Sequence, residues 1–146
     1  MHVPPEESVM IKTGILPVAV ALLVATPCSA QSKVSARPIL QAGVTIGGTP
    51  IVYPRTDSAE VTALVLEIAP GGETGRHMHP FPTFVYVLEG TFDIEMDDGT
   101  VHRYKAGDSY LEAVNTWHNS KNKGAVPSKA LIVFAGGRGK PYLVRP

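Results

Sequence analysis

Three of the five histidines are spaced so that they could hold a metal ion. His77 and His79 are separated by one residue, and His118 follows 39 residues after His79. Side chains at positions i and i+2 of a β-strand project from the same face, so this pair would direct two imidazoles to one point. A third histidine from a neighbouring strand would complete a site with coordination positions open for water or substrate. The alternative is three ordinary polar residues on half-exposed strands, and His102, in a polar stretch, is expected to be solvated.

The residues that must position these histidines have an all-β pattern. Short runs of apolar, β-branched or alternating residues are separated by turn signals at intervals of about 8–12 residues, which is typical of a sandwich or barrel. Asp97-Asp98-Gly99 predicts a hairpin turn, and no run after residue 30 has helical periodicity. The predicted strands are Val61–Ile68, Phe84–Leu88, Thr91–Met96, Thr100–Tyr104, Ser109–Leu111, Trp117–Ser120, Leu131–Phe134 and an edge strand at Tyr142–Val144.

Residues 1–30 are interpreted as a secretory signal peptide. Lys12 precedes a 12-residue apolar run, Ile15–Thr26, and the small residues Cys28-Ser29-Ala30 follow it, which is the order of regions in such a peptide. The run is too short to span a bilayer comfortably, although an uncleaved anchor is an alternative. Cleavage after Ala30 would release a secreted or periplasmic protein. Two glutamates near residue 1 do not suit a basic leader, so Met10 could be the true start.

Composition limits what the mature chain could bind. From residue 31 onward there are 12 Lys and Arg against 11 Asp and Glu, a net charge of +1 with no basic face, so nucleic acid is not an expected partner. The sole cysteine, Cys28, lies in the leader, so no disulfide framework is expected. No second apolar segment would hold the mature chain in a membrane. Residues 31–38 are expected to form a flexible tether and residues 39–146 one barrel domain; the sequence is also compatible with a homodimer.

Two motifs in this domain resemble those of the cupin superfamily. The first is Pro70-Gly71, five residues, His77-x-His79, three residues, Thr83, six residues, Gly90, and the second is Gly107-Asp108, nine residues, His118, three residues, Asn122. The resemblance implies a small single-domain protein with a double-stranded β-helix, the jelly-roll barrel of type-2 cupins. It also implies one divalent metal ion inside the barrel mouth, with His77, His79 and His118 as its ligands.

One departure from the family pattern affects the expected metal site. The family usually has a glutamate ligand at the position of Thr83, and a neutral hydroxyl is a poor ligand. Three neutral imidazoles would leave the full charge of the metal uncompensated, which favours a more acidic bound water and tighter binding of anions. Glu112 is expected to be a solvated carboxylate at the rim, with a base or substrate contact near the metal as the alternative, and Asn122 is expected to tie a loop. The candidate pocket residues are Thr83, Val85, Glu112 and Trp117.

The expected activity follows from the resemblance and from what the sequence lacks. Some cupins with only three histidines are Fe(II) dioxygenases, and no obvious acid–base pair accompanies the histidines, so oxygen chemistry on a small organic substrate is the leading hypothesis. Fe(II) is favoured on this basis, while imidazole ligands also suit Zn, Mn, Ni and Cu. The alternatives are a non-catalytic module that binds a small molecule or a metal, and a structural jelly roll with an incidental ion.

Overall fold

Residues 33–146 are described in a computed structural model of the chain, and they form seven β-strands and no helix. The all-β prediction is therefore confirmed. Among these residues no helix is long and apolar enough to cross a membrane. The proposed leader and the start of the tether, residues 1–32, lie outside the described residues. The strands are β1 (Ala59–Ile68), β2 (Thr83–Glu89), β3 (Thr91–Met96), β4 (Val101–Lys105), β5 (Ser109–Leu111), β6 (His118–Lys121) and β7 (Ser128–Gly137).

The strands form two antiparallel sheets whose order differs from the order along the chain. One sheet has the order β1-β7-β2-β5, and the other has the order β4-β3-β6. The chain passes from the first sheet to the second between β2 and β3 and returns between β4 and β5. It then crosses to the second sheet at β6 and back to the first at β7. Repeated crossing between two facing sheets is the winding of a jelly roll, which confirms the predicted topology.

The core lies between the inward faces of the two sheets. Along β2, Thr83, Val85 and Val87 are buried while the residues between them are partly exposed. This period of two follows from the alternating direction of side chains in a strand. Full burial of each large apolar side chain contributes about 1.5–3 kcal/mol. The buried apolar side chains are Ile68, Val85, Val87, Phe92, Ile94, Met96, Tyr110, Ala113, Ala130, Ile132 and Phe134.

Gly90 lets the chain turn sharply from β2 into β3. Its φ angle is +69°, and a Cβ atom there would lie 2.6 Å from the carbonyl oxygen of Pro127. Any other residue would therefore combine a strained backbone with a backbone clash. This explains why a glycine stands at the end of the first sequence motif, where the chain leaves the strand that follows the histidine pair.

The carboxy-terminal segment differs from its prediction. Residues 142–144 do not form a strand; instead, Val144 makes a single antiparallel bridge with Met78. Met78 donates its N–H to the Val144 carbonyl, and Val144 donates to the Met78 carbonyl, both at 3.0 Å. The tail is thereby fixed against the segment that carries His77 and His79.

Candidate metal centre

Three histidines that are distant in sequence are brought together at one end of the jelly roll. His77 and His79 lie on the segment before β2, and His118 begins β6. His77 and His118 exchange both backbone hydrogen bonds, each at 2.9 Å, and form an antiparallel bridge. The backbone therefore fixes the distance between the first and third histidines independently of any ligand.

The imidazoles of this cluster are close together and almost fully buried. Their potential ligand nitrogens all lie within 4.8 Å of one another, and none of the three residues is more than 3% exposed. The ring centroids are separated by 4.5 to 5.2 Å. The structure thus brings together the three residues that the sequence singled out, in an arrangement that could hold a metal ion.

The hydrogen bonds of the rings leave the same nitrogen available on each histidine. The Nδ1 atoms of His77, His79 and His118 lie 2.8, 2.8 and 2.9 Å from the backbone carbonyl oxygens of Gly75, Tyr142 and Thr116 respectively. A carbonyl oxygen only accepts, so each Nδ1 carries the proton. In a neutral imidazole the Nε2 atom then keeps its lone pair, and a backbone partner of this kind is what usually orients a metal-binding histidine.

Burial also keeps His77 in the form that binds metals. The loss of hydration lowers the pKa of His77 to about 4, because burial disfavours the imidazolium, and the other two histidines add to the effect. His77 is therefore neutral over the physiological pH range. A neutral imidazole is the ligand form, so protons compete weakly with a metal ion at this ring.

Glu112 is buried beside the histidines, which makes its predicted position at a solvated rim wrong. It is 3% exposed, and its Oε2 atom lies 2.9 Å from Nε2 of His79, while Oε1 lies 3.8 Å from Nε2 of His118. The physical reason is that the alternation of β5 continues into the residue that follows this strand. Tyr110 faces the core on that strand, so Glu112, two residues later, faces inward as well.

The electrostatics of Glu112 and His79 favour opposite charges. Burial acts to raise the pKa of Glu112, but His79 and the other imidazoles outweigh it, and the pKa is lowered. Burial likewise acts to lower the pKa of His79, but the adjacent carboxylate outweighs it, and the pKa is raised. The carboxylate therefore remains ionised in a buried position, where a cation is needed to compensate it.

Two polar atoms in this cluster have no hydrogen-bond partner among residues 33–146. They are Oε2 of Glu112 and Nε2 of His118, and both are shielded from solvent. Oε2 lies 2.9 Å from Nε2 of His79 but forms no hydrogen bond with it. Buried polar groups are rarely left unsatisfied unless an ion or water completes them. Imidazole nitrogens and a carboxylate oxygen together are a donor set that fits a divalent transition metal.

The other three pocket candidates, Thr83, Val85 and Trp117, lie away from the cavity that opens beside the histidine cluster. Thr83 is fully buried on the same face as Val85, and its hydroxyl donates to the carbonyl of Phe81 at 3.0 Å. Trp117 stacks under the guanidinium of Arg76, 4.3 Å from the ring centroid. None of Thr83, Val85 and Trp117 belongs to the described residues that line the cavity. For Trp117 the reason is alternation, since its neighbour His118 faces inward.

A cavity of about 350 Å³ opens onto two of the histidines and Glu112. Its wall is largely apolar, and its polar edge includes Thr74 and Arg145. The sequence did not indicate that the carboxy-terminal segment lines this cavity. Its two hydrogen bonds there, between Tyr142 and His79 and between Arg145 and Thr74, join residues that are 63 and 71 positions apart. The lining residues are Leu64, Leu66, Glu73, Thr74, His77, His79, Glu112, Ser120, Ile132, Phe134, Tyr142, Leu143 and Arg145.

Comparison with known proteins agrees with this fold. The family model of the cupin domain matches residues 64–134. The chain is 36% identical over 84 residues to the β-alanine degradation protein BauB of Pseudomonas aeruginosa, covering 55% of this chain and 88% of that protein. It is 30% identical over 93 residues to a germin-like protein, subfamily 2 member 1, of Arabidopsis thaliana, covering 60% of this chain but only 42% of that one.

Among solved structures, one similar protein supports the fold. It is an uncharacterised protein of Klebsiella pneumoniae with a double-stranded β-helix domain, which superposes with a TM-score of 0.50 at 24% identity. The match covers 78% of this chain and 96% of that one. At this level of identity the similarity concerns the arrangement of the strands and not the chemistry of the site.

Proposed function

The chain belongs to the cupin family, and from its buried cluster we propose that it is a mononuclear metal enzyme of the dioxygenase type, acting on a small organic substrate. The observation that carries the proposal is the shared orientation of His77, His79 and His118. Each ring donates through Nδ1 to a backbone carbonyl, so each has its Nε2 free of that contact. His77 and His79 also line one cavity, together with Glu112. Such preorganisation is costly in a buried site and is typical of metal ligands.

The metal would supply Lewis acidity and, for a redox-active ion, a site at which dioxygen reacts. Fe(II) is the ion proposed for this role, and Mn, Zn, Ni and Cu share the same ligand chemistry. The protein's own contribution is to keep His77 neutral, to orient the imidazoles through backbone carbonyls and to exclude bulk water. His77 illustrates all three, because it is buried, hydrogen-bonded to Gly75 and has a pKa of about 4.

The cavity restricts the substrate to a small and mostly apolar molecule. Leu64, Ile132 and Phe134 form part of the wall, and a volume of about 350 Å³ is at the small end of ligand sites. Arg145 at the edge donates one hydrogen bond to the Thr74 carbonyl, and its further donors could bind an anionic group of the substrate. One relative is named for the degradation of β-alanine, which is compatible with a small substrate that bears a carboxylate.

The test combines metal analysis with oxygen consumption. Protein purified without a histidine tag should contain about one equivalent of iron, and His79→Ala should abolish binding because two imidazoles hold an ion poorly. His102→Ala is the matched control, since this histidine lies outside the cluster, and it should retain the metal. Dioxygen uptake is then measured with small enols, thiols and phenols that carry a carboxylate.

Each outcome of this test discriminates between functions. Iron together with substrate-dependent uptake supports the enzyme. Stoichiometric metal without uptake across the panel favours a non-catalytic binding module. Equal metal content in His79→Ala and wild type would refute the site itself.

We also propose that the protein is exported and acts in the periplasm or outside the cell. The support is the sequence alone: Lys12, the apolar run Ile15–Thr26 and the small residues before Gln31. Intact-mass analysis of protein from a periplasmic extract should give an amino terminus at Gln31. A full-length product that remains in the cytoplasm would contradict export.

A further inference from the structure

We propose that Glu112 is the fourth protein ligand of the metal, and that this carboxylate has moved from β2 to the neighbouring strand segment. The inference rests on the proposed metal site. The family resemblance places a glutamate ligand at the position of Thr83, which the sequence lacks. In the structure the carboxylate of Glu112 lies on the neighbouring segment, directly opposite Thr83.

Strand register explains how Glu112 reaches the same place. In the antiparallel pair of β2 and β5, Val85 is opposite Tyr110, and both side chains are buried. The next inward-facing pair along the strands is Thr83 and Glu112, and the N–H of Glu112 donates to the Thr83 carbonyl at 2.9 Å. The Cβ atoms of directly opposed residues are about 5 Å apart on the same face. A carboxylate at either position can therefore extend towards the same point.

Thr83 leaves space for this arrangement. Its side chain is short, and its hydroxyl is occupied by the carbonyl of Phe81. A glutamate there would compete with Glu112 for one volume and bring two buried carboxylates together, which raises the free energy of both anions. The two positions are therefore complementary: the small residue Thr83 on β2 accompanies the carboxylate of Glu112 on the neighbouring segment.

The contact between Glu112 and His79 also requires a cation. The Tyr142 carbonyl fixes the proton of His79 on Nδ1, so its neutral form presents a lone pair at Nε2. Oε2 of Glu112 lies 2.9 Å from this atom and presents lone pairs as well. Two such atoms repel each other in a buried site unless a proton or a metal ion is shared between them. The unpaired Nε2 of His118 on the other side of the carboxylate favours the metal ion.

Other carboxylates near the cluster are engaged elsewhere. Glu73 is about half exposed and accepts a hydrogen bond from Asn119 at 2.9 Å. Glu89 is also half exposed and forms an ion pair with Lys129 at 3.3 Å. Neither is buried with the imidazoles, whereas Glu112 is.

A carboxylate ligand changes the chemistry expected of the centre. Three neutral imidazoles and one carboxylate give a divalent ion a net charge of +1 instead of +2. Carboxylate oxygen favours harder ions such as Mn²⁺ and Fe²⁺ relative to a site made only of imidazoles. The reduced charge also weakens binding of external anions such as azide.

The test measures metal affinity in a set of charge-matched variants. Calorimetric titration with Co²⁺, with visible absorption as a second readout of coordination, is applied to wild type, Glu112→Gln and Glu89→Gln. Groups that only orient a ligand typically contribute about 10–100-fold to affinity. Loss of a true ligand should exceed this range, so Glu112→Gln should bind Co²⁺ more than about 100-fold more weakly, while Glu89→Gln should match wild type.

A double variant that exchanges the two residues gives the strongest evidence. Thr83→Glu combined with Glu112→Thr returns the carboxylate to β2 and should recover most of the affinity lost in Glu112→Thr alone. Thermal unfolding of each metal-free protein verifies that the variants are folded. Azide should bind the Co²⁺ form of Glu112→Gln more tightly than that of wild type, which a purely structural role would not produce.

The outcomes separate this inference from the proposed function. If Glu112→Gln keeps Co²⁺ affinity within about tenfold of wild type while His79→Ala loses it, the metal site stands and Glu112 is not a ligand. If His79→Ala also keeps its affinity, the proposed metal site itself fails. Failure of the exchange variant to recover any affinity, in a folded protein, would also overturn the proposed equivalence of the two positions.

Discussion

Asn122 should stabilise the fold without contributing to metal binding, although it completes the second histidine motif. Its side chain is 1% exposed and makes three hydrogen bonds. Nδ2 donates to the carbonyls of Ile68 and Val126 at 2.9 and 2.8 Å, and Oδ1 accepts from the N–H of Gly124 at 2.9 Å. The residue therefore ties the end of β1 to the loop between β6 and β7, as expected from the sequence.

The size of the effect follows from these three contacts. Replacement by alanine removes all of them and leaves backbone groups without partners in a buried region. At a net contribution of about 1 kcal/mol per hydrogen bond, Asn122→Ala should lower the free energy of unfolding by about 3 kcal/mol. For a domain of this size the melting temperature should fall by about 10–15 °C. Asn122→Asp should be worse, because an anionic oxygen would then face the two carbonyls.

The assay is urea unfolding of metal-free protein, combined with Co²⁺ titration of the folded variants. Asn119→Ala is the matched control, because its amide donates to half-exposed Glu73 and its loss should cost about 1 kcal/mol or less. Metal affinity of folded Asn122→Ala should equal that of wild type. A stability loss below about 1 kcal/mol, or a clear loss of metal affinity in the folded state, would refute the reasoning.

Three further predictions concern the sheet and the site. Arg103→Met removes two hydrogen bonds, 2.6 and 2.7 Å long, from buried Asp93 and should lower the free energy of unfolding at pH 7. Because the Arg103 guanidinium lowers the pKa of Asp93 below its ordinary value of 3.8, this difference in stability should be complete above about pH 4 and diminish in urea titrations as the pH falls through the folded pKa. Gly90→Ala should lower the free energy of unfolding by at least about 2 kcal/mol, measured by the same titration, because φ is +69° and the added methyl meets backbone. Thr83→Glu alone should raise Co²⁺ affinity little in calorimetry, since Glu112 already fills that role; a large gain would favour a site with only imidazole ligands.

Local sequence patterns predicted the strands correctly where their formation depends on residues adjacent in the chain. The predicted strands at Thr91–Met96 and Ser109–Leu111 have the observed bounds, because alternation of side chains is set within each strand. The jelly roll and the three clustered histidines were implied by the resemblance of the two motifs to those of the cupin superfamily. The predicted edge strand at Tyr142–Val144 failed because that segment pairs at one residue only, with Met78.

The sequence by itself determined which imidazoles could meet, since their positions on the strands place them on inward faces. Only the tertiary structure decided what surrounds them. The burial of Glu112 depends on β5 pairing with β2, and the proton position of His79 depends on the carbonyl of Tyr142, 63 residues away. Alternation along the chain gives the side of the strand on which Glu112 lies, but it does not give the partner that either residue meets. Both contacts join segments that become neighbours only when the sheets have closed around the core.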